Sequence, residues 1–594
     1  MKKTIRRSLS VAMSIALLVL ALFSYSNAAD IASESTIAAS KISEQLEVVL
    51  KEAAQDDLIP IYVWYQDIDL EAIDQATERK LGYTERDIQA KEDKLPMLSD
   101  ATLALPDEAF NSAVESYREE TRAQRSEVME MQDSYTMTRR SLAREAYATY
   151  NERQMTVTGI PSKAIVYVSQ YTPVVIAQLT PNQISNLAQK KEVVYIDARR
   201  NDEPEEELQY ALPAVDANYV RNTLGFNGYG VKVGMFDSGQ VGAHTQLNNA
   251  SITRLNNGTD IHTHSTDVAR IIVGSDGVAP GAKLYVNYGP SYESRLEALI
   301  SQGVSVISIS LGFGRDEAAG DYYTGFERWI DHIVHQDNVS VVTSAGNNGG
   351  NLIVTSAGLA YNVITVGAMY TNKTTSQTDD YLYEGSRSAN GGTAGCAKPD
   401  VIASSAFDGG TSYAAPVVAG VIAQMIEYKP SIATNPALIK AVLTACTFKK
   451  ANANTTEVYE GPLTAQQGAG VINAKRAISI LSNNKYATGT MSSGTVTKTY
   501  SVPSGNTFIR YAVAWLRPNT VSNHTSGTVT TATAANLKLE VYRPTGVLAA
   551  SSNITNSSVE LVHYQVNSIF GTYSAQITRM DAGTNSFKYA VAWY

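Results

Sequence analysis

Short apolar runs alternate with stretches of helical periodicity between residues 212 and 481. The apolar runs predict buried parallel strands, which are expected at residues 231–236, 284–287, 304–310, 339–344 and 363–366. The intervening helices are expected at residues 264–273, 293–302, 326–336 and 412–428. Alternating strands and helices predict an α/β domain with a doubly wound parallel sheet that helices cover on both faces.

The preceding segment, residues 30–200, has the pattern of a small α+β domain. A helix is expected after Thr180, because Thr180 can cap it, Pro181 suits its first position and Gln183 completes a capping box. Strands are expected at residues 59–65, 163–168, 174–179 and 193–196.

A charged insertion with helical periodicity occupies about residues 70–155 of this domain. Two or three helices are expected, with breaks near Pro96 and Pro106. We interpret the insertion as a solvated helical hairpin. The alternative is an arm that binds a partner or assists folding.

Residues 486–594 alternate apolar and polar positions, so that Leu537, Leu539 and Val541 share one face. This pattern predicts six to eight antiparallel strands in an all-β sandwich. The acidic, proline-containing residues 201–211 are expected to form an exposed linker that a protease could cut.

The first 28 residues have the pattern of a signal peptide. Lysines and arginines precede an apolar run at residues 11–23, and small residues occupy positions 26 and 28. A membrane anchor is the alternative, but that run is short for a bilayer, which needs about 20 residues. We therefore expect a secreted or extracytoplasmic protein that is not membrane-bound once the signal is removed.

Composition narrows the range of functions. The chain has 594 residues, 18% of them charged, and a formal net charge of −10. This acidity argues against nucleic-acid binding, which relies on Lys and Arg at phosphates. Its two cysteines, Cys396 and Cys446, exclude a disulfide scaffold, and either one bridge or two buried thiols would fit.

Ser412 is the candidate nucleophile. It opens a predicted helix just after Gly410, which permits a close approach of a substrate, and Pro416 lies early enough in that helix to be tolerated. The first turn of a helix favours developing negative charge. The alternative is a serine that merely caps an ordinary helix.

Asp237 follows a predicted buried strand, where a carboxylate can orient an imidazole. It could instead be a turn-capping residue. The chain has seven histidines; His524 and His563 fall in the sandwich, and His332 and His335 lie on a helix expected at the surface. His244, His262 and His264 remain, and we favour His264 because it begins a helix. His262 is then a surface residue or a substrate contact.

Asn347 also follows a predicted strand, and its side-chain amide could donate to an oxyanion. An ordinary turn asparagine is the alternative, and Asn348 competes for the role.

These segments together resemble the subtilisin family of serine proteases, in which aspartate, histidine and serine follow in this order. Gly410–Pro416 matches the family motif Gly-Thr-Ser-Met-Ala-Ala-Pro except for Tyr413. Asp237–Gly239 matches the aspartate motif, and Ala345–Asn347 matches the oxyanion segment. Ser310, Leu311 and Gly312 resemble the strand that binds substrate by strand addition.

The histidine motif departs most from the family's His-Gly-Thr-His-Val-Ala-Gly. The sequence here is His264-Ser-Thr-Asp-Val-Ala-Arg270, in which Arg270 either crowds the helix or pairs with Asp267. This departure motivates the rival hypothesis of a weak or inactive binding protein on a subtilisin fold.

The resemblance implies a serine endopeptidase that cleaves protein or peptide substrates through an acyl-enzyme. It also implies that residues 30–200 are a propeptide, a partner of residues 212–481 that acts as chaperone and inhibitor, and that residues 486–594 are the C-terminal sandwich of longer subtilisins. Calcium is common in the family, but the sequence has no defined ligand cluster, so no cofactor is expected.

Overall fold

The computed structural model describes most of the chain from residue 41 onward. The described residues are 41–95, 107–199, 204–205 and 214–594, with gaps at 257, 259, 289–290, 314–322, 324, 348–352, 372–376, 378–379, 389–397, 406–409, 452–460, 504–507, 518–534, 555–556, 567–568 and 582–585. The expected signal peptide, most of the acidic linker and Cys396 therefore lie outside the described residues. No described helix is long and apolar enough to cross a membrane.

The described residues form two compact units. One contains residues 41–84 and 137–199, and the other contains residues 85–136 and nearly all of the chain after residue 200. Part of the helical insertion thus belongs to the same unit as the predicted α/β domain.

The first unit is built on a four-stranded antiparallel sheet. Its strands, in spatial order, are Ile165–Val168, Val174–Leu179, Ile59–Tyr65 and Val193–Ala198. Its helices are Glu44–Glu52, Leu70–Leu81, Pro181–Ala188 and the end of Asp107–Thr158. The capping box of Thr180 and Gln183 is present, as predicted. Buried residues such as Leu46, Val63 and Ile184 fill the core between the sheet and the helices.

The second unit is built on an eight-stranded sheet that confirms the predicted parallel α/β fold. The strands, in spatial order, are Tyr381–Leu382, Ile364–Tyr370, Ser340–Ser344, Val306–Ile309, Lys232–Phe236, Lys283–Val286 and Ser251–Arg254, with Val401–Ser404 also beside Ile364–Tyr370. Every pair is parallel except the one with the edge strand Tyr381–Leu382.

Six longer helices accompany this sheet: Thr263–Val273, Tyr292–Ser301, Gly325–Asp337, Thr411–Tyr428, Pro436–Ala445 and Ala474–Ser482. We call Thr263–Val273 the histidine helix and Thr411–Tyr428 the serine helix. Every residue of the serine helix except Glu427 is buried. A helix that is apolar on all sides is stable only inside a core, so its ends are firmly positioned.

The C-terminal part of the second unit contains two four-stranded antiparallel sheets. One has the order Tyr486–Met491, Phe587–Trp593, Phe508–Trp515 and Val559–Gln565. The other has the order Thr495–Val502, Gly571–Arg579, Leu537–Tyr542 and Leu548–Ser552. Leu537, Leu539 and Val541 share a buried face, as predicted, and pack in one core with residues of the other sheet such as Tyr511 and Val591.

The described part of the insertion contains the helices Leu70–Leu81, Glu85–Glu92 and Asp107–Thr158, the last of which has 52 residues. The expected breaks at Pro96 and Pro106 lie outside the described residues. Glu92 and Arg125 are buried, so this part of the insertion is packed rather than solvated as we expected.

A buried ion cluster joins the sheet to the helix Pro436–Ala445. The carboxylate of Asp400 lies 2.7 Å from the Lys398 ammonium and 2.8 Å from the Lys440 ammonium, and it accepts the N–H of Thr365 at 2.8 Å. Burial alone would raise the pKa of Asp400, but the two lysines outweigh it and hold the pKa below its ordinary value. Asp400 is therefore ionised in the folded protein.

We predict that Asp400→Asn lowers the free energy of unfolding by about 3–5 kcal/mol, because it leaves two buried ammonium groups without their carboxylate. Denaturant unfolding measures the loss. Asp260→Asn, at an exposed position, is the control and should change stability by no more than about 0.5 kcal/mol.

The effect of Asp400→Asn should also depend on pH. Because the folded pKa of Asp400 is depressed, its contribution is fully present above the unfolded pKa of about 3.9 and is lost as the pH falls through the folded value. The difference between wild type and variant should therefore shrink in acid. A difference that grows in acid would contradict this assignment.

Candidate active site

Three neighbouring strands of the parallel sheet end in polar residues. Lys232–Phe236 leads into Asp237, Val306–Ile309 leads into Ser310, and Ser340–Ser344 leads through a short turn to Asn347. Val306–Ile309 lies between the other two strands. Since carboxyl ends of parallel strands meet at one edge, these residues lie together at a typical position for a site.

Asp237 and His264 form a buried pair. The Nδ1 atom of His264 lies 2.6 Å from Oδ1 of Asp237, and both side chains are at most 1% exposed. The same Oδ1 accepts the N–H of Ser238 at 2.7 Å, so it acts as an acceptor toward Nδ1 as well, and Nδ1 is the donor. This arrangement leaves Nε2 as the ring nitrogen that can accept a proton. Of the three candidate histidines, the one at the helix start is therefore the one that contacts the aspartate.

Ser265 also contacts Asp237, and sequence reasoning missed this residue. Its hydroxyl donates to Oδ1 of Asp237 at 3.0 Å and accepts the N–H of Gly239 at 2.9 Å. The family motif has glycine at the position of Ser265, so the sequence alone shows this residue only as a departure from the motif. Its side chain ties the Asp-Ser-Gly turn to the histidine helix.

The other departures in the histidine motif do not crowd the site. Arg270 pairs with Asp267, the partner that its spacing indicated, and donates through Nε to Gln246 at 2.9 Å. His262 caps the histidine helix by accepting the N–H of His264 through Nδ1 at 3.3 Å. His244 likewise caps the short turn that follows it.

The assumption that His332 and His335 lie on a surface helix is wrong. Most of the helix Gly325–Asp337 is buried, and His332 is 1% exposed. The apolar residues of this helix, Trp329, Ile330 and Ile333, are buried. The polar residues between them gave the sequence the pattern of an exposed helix.

Ser412 lies in the first turn of the serine helix and is buried. Gly410 precedes the helix with φ of 136°, a conformation that side-chain-bearing residues rarely adopt. The Ser412 hydroxyl donates to the carbonyl oxygen of Ser310 at 3.1 Å. Ser412, the candidate nucleophile, therefore contacts the residue that directly follows the central strand Val306–Ile309.

Tyr413, which replaces the family's methionine, packs edge-to-face on the His264 ring, with 5.1 Å between ring centroids. Burial raises the pKa of Tyr413 well above its ordinary value, and Asp267 and Asp237 raise it further. The phenol is therefore neutral. Its ring brings the first turn of the serine helix against the imidazole.

Asn347 is oriented by Thr411. The Oδ1 atom of Asn347 accepts the Thr411 N–H at 2.9 Å, and the Thr411 hydroxyl accepts the N–H of Gly346 at 2.9 Å. Because a backbone N–H can pair only with the amide oxygen, the NH2 group of Asn347 lies on the opposite side of its planar amide. Arg387 is a second residue that sequence reasoning missed. Its Nε–H donates to the main-chain carbonyl oxygen of Asn347 at 2.6 Å. Asn348 lies outside the described residues.

Gly312, one of the three predicted substrate-binding residues, lies in a short strand that already has a partner. Gly312–Phe313 pairs antiparallel with Pro204–Glu205, so that Gly312 lies opposite Glu205 and Phe313 opposite Pro204. This pairing shows that the edge accepts an extended segment by strand addition.

The described residues contain no group of three or more potential metal ligands, and Cys446 is a buried free thiol. Burial raises the pKa of Cys446 to about 11, so this thiol is not a reactive group.

Comparisons with known proteins identify the class. Residues 228–470 match the model of the Subtilase family, Peptidase_S8. Subtilisin DY of Bacillus licheniformis is 28% identical over 250 residues, which cover 38% of this chain and 88% of that protein.

Two solved structures are also similar. The epidermin leader peptide processing serine protease EpiP of Staphylococcus aureus is 19% identical, with a TM-score of 0.38, covering 56% of this chain and 97% of that one. Fervidolysin of Fervidobacterium pennivorans, a keratinolytic enzyme related to subtilisin, is 17% identical, with a TM-score of 0.39, covering 70% of this chain and 67% of that one.

The parallel sheet and the family match define a subtilisin-like α/β fold. The match of residues 228–470 to the Subtilase family and the similarity to Subtilisin DY support a subtilisin-like serine protease.

We predict that Ser265→Ala lowers the free energy of unfolding by about 1.5–3 kcal/mol, because Asp237 loses a charge-assisted hydrogen bond and Gly239 N–H loses its acceptor. Denaturant unfolding in the presence of a serine-protease inhibitor measures the effect. Ser275→Ala, at an exposed position just beyond the same helix, is the control. Equal effects of the two substitutions would show that Ser265 does not support the aspartate.

Proposed function

We propose that the protein is a secreted serine endopeptidase in which Ser412, His264 and Asp237 form the catalytic triad. The observation that carries this proposal is the buried contact of 2.6 Å between His264 Nδ1 and Asp237, beside the first turn of the serine helix. A buried histidine held in this tautomer presents Nε2 as a general base.

The reaction is acyl transfer to a serine. His264 takes the hydroxyl proton of Ser412 as the oxygen attacks a peptide carbonyl, and Asp237 stabilises the imidazolium. The imidazolium then protonates the leaving amine, which departs and leaves an acyl-enzyme. Water, deprotonated by His264, attacks the ester and releases the second product with the serine restored.

The serine must turn before it can react. Its hydroxyl proton is directed at the Ser310 carbonyl, so the hydroxyl has to swing from that acceptor toward Nε2 of His264. Rotation about χ1 moves a hydroxyl between staggered positions, and an incoming strand that uses the Ser310 carbonyl for its own N–H would release the serine.

Asn347 and the Ser412 N–H are the proposed oxyanion donors. The Thr411 contacts turn the NH2 group of Asn347 away from Thr411 and fix it before substrate arrives. First-turn N–H groups of a helix lack intrahelical acceptors, so the Ser412 N–H is suited to the same oxyanion. Preorganised donors of this kind stabilise the transition state without reorganisation.

The segment around residues 204–205 is the proposed internal substrate. Its register with the edge strand pairs Glu205 with Gly312, which is two residues from Ser310 in the sequence. Ser310 is the residue whose carbonyl contacts the Ser412 hydroxyl. We therefore infer that the enzyme cleaves its own chain near this segment, between Arg199 and Leu212, and thereby separates residues 30–200 as a propeptide.

The rival hypothesis of an inactive binding protein rested on the altered histidine motif. Ser265 adds a hydrogen bond to Asp237, and Arg270 turns to Asp267, so neither substitution separates His264 from its carboxylate. These contacts favour the enzyme.

We predict that wild-type protein reacts with a fluorophosphonate probe and cleaves a peptide substrate, and that Ser412→Ala loses both activities, with cleavage reduced at least about a thousandfold because the nucleophile is absent. Ser275→Ala should behave as wild type. Labelling that persists in Ser412→Ala would exclude Ser412 as the nucleophile.

We predict that the secreted wild-type product begins between residues 200 and 212, whereas the Ser412→Ala product retains the upstream residues and begins near residue 29. Sequencing of both N-termini in culture supernatant tests export and self-cleavage together. A fully active wild-type product that still carries residues 30–200 covalently would contradict the propeptide assignment.

A further inference from the structure

The helical insertion contacts the subtilase domain at a surface distant from the candidate active site. We call residues 85–136 of the insertion the arm. The serine helix has 18 residues, so its far end lies about 24 Å from Ser412 at a rise of 1.5 Å per residue. The arm binds at this far end.

The first contact is a buried ion pair. Glu92, 4% exposed, lies 3.3 Å from the ammonium of Lys429, which directly follows the serine helix. Glu92 also accepts the N–H of Ser431 at 2.8 Å and the hydroxyl of the same residue. Burial alone would lower the pKa of Lys429, but Glu92 and Tyr486 together outweigh it and raise the pKa, so the ammonium is charged.

The second contact is an arginine against two aromatic rings. The guanidinium carbon of Arg125 lies 4.9 Å from the ring centroid of Tyr428 and 5.7 Å from that of Phe226. The two rings pack edge-to-face against each other at 5.2 Å. Arg125 is itself buried, so this cation–π contact is largely shielded from water.

Further polar contacts extend the surface. Asp133 pairs with Lys232 at 2.7 Å, and the amide of Gln132 donates to Thr434 at 3.4 Å. Glu85 accepts the hydroxyl of Thr434 at 3.0 Å. Asp133 and Glu85 retain solvent access, so these contacts add to the buried pair of Glu92 and Lys429. That buried pair indicates a specific interface, because either charge would be strongly unfavourable if it were unpaired.

We propose that the arm is a clamp that keeps the N-terminal segment bound to the subtilase domain after the chain is cut between residues 199 and 214. The arm is covalently continuous with residues 30–84 and 137–199, so whatever holds the arm retains the whole segment. The N-terminal segment is therefore bound at two places. Its arm contacts the far end of the serine helix, and Pro204–Glu205 pairs with the strand Gly312–Phe313. This inference rests on the proposed self-cleavage only for its timing.

The test separates the clamp from self-cleavage. In the Ser412→Ala protein, a recognition sequence for a specific external protease replaces residues 206–211, and the chain is cut with that protease. The N-terminal fragment carries an affinity tag, and its dissociation constant for the C-terminal fragment is measured. The cut therefore occurs whether or not the enzyme processes itself.

We predict that the unmodified fragments stay associated after the cut, and that Glu92→Gln with Arg125→Gln raises the dissociation constant at least about thirtyfold, as expected for breaking a buried charge pair. The matched control is Lys94→Gln with Glu130→Gln, at exposed positions of the same arm, which should leave it unchanged. Equal constants for the two double variants would overturn the clamp.

A variant on the other side guards against a misfolded arm. Lys429→Gln leaves the N-terminal fragment unaltered and should also weaken the complex severalfold or more. In the active enzyme, Lys429→Gln should leave the cleavage of a small peptide unchanged, because Lys429 is far from Ser412. If Lys429→Gln binds the fragment as tightly as wild type does, the ion pair does not hold the arm and the clamp is excluded.

Discussion

The hydrogen-bonded register of three parallel strands determines where the polar groups of the active site lie. Val306–Ile309 pairs on one side with Lys232–Phe236 and on the other with Ser340–Ser344. Side chains alternate between the two faces of a sheet, so a shift of one residue in either pair would turn Asp237 or Asn347 away from the edge that they share. Every residue of Val306–Ile309 and Ser340–Ser344 is buried, so a shift would exchange the side chains that pack on the two faces of the sheet and disrupt the packing on both.

The serine helix connects the candidate active site to a distant part of the second unit. It packs against the sheet and against the histidine helix, and almost no residue along it reaches solvent. Its first turn contains Ser412 and Thr411, and the Thr411 N–H donates to the side chain of Asn347. Its last residue, Tyr428, makes a cation–π contact with Arg125 of the arm. The proposed catalysis and the proposed retention of the N-terminal segment thus depend on opposite ends of one helix, which would allow them to be altered independently.

Much of this arrangement follows from the sequence. The parallel strands could be predicted because they are continuous apolar runs, and Asp237 and His264 could be predicted because each stands at the end or start of a regular element. Ser265 and Arg387 could not, since their roles depend on contacts with residues distant in sequence. The packing of the arm escaped prediction for a related reason. Its helices are rich in charged residues, and a charged helix is expected in solvent unless its partners, such as Lys429, are known.

A second binding place changes what a cut in the linker accomplishes. Before the proposed cut, the N-terminal segment is tethered and its effective concentration at the candidate active site is high. Cleavage removes the tether but not the clamp, so the segment leaves only as fast as the clamp and the strand contact at Gly312–Phe313 both open. Burial of Glu92 and Arg125 makes that opening slow, because both charges must regain water before the fragment separates. The appearance of free protease would then be governed by dissociation or by digestion of the bound segment, and cleavage of the linker would be an early and insufficient step.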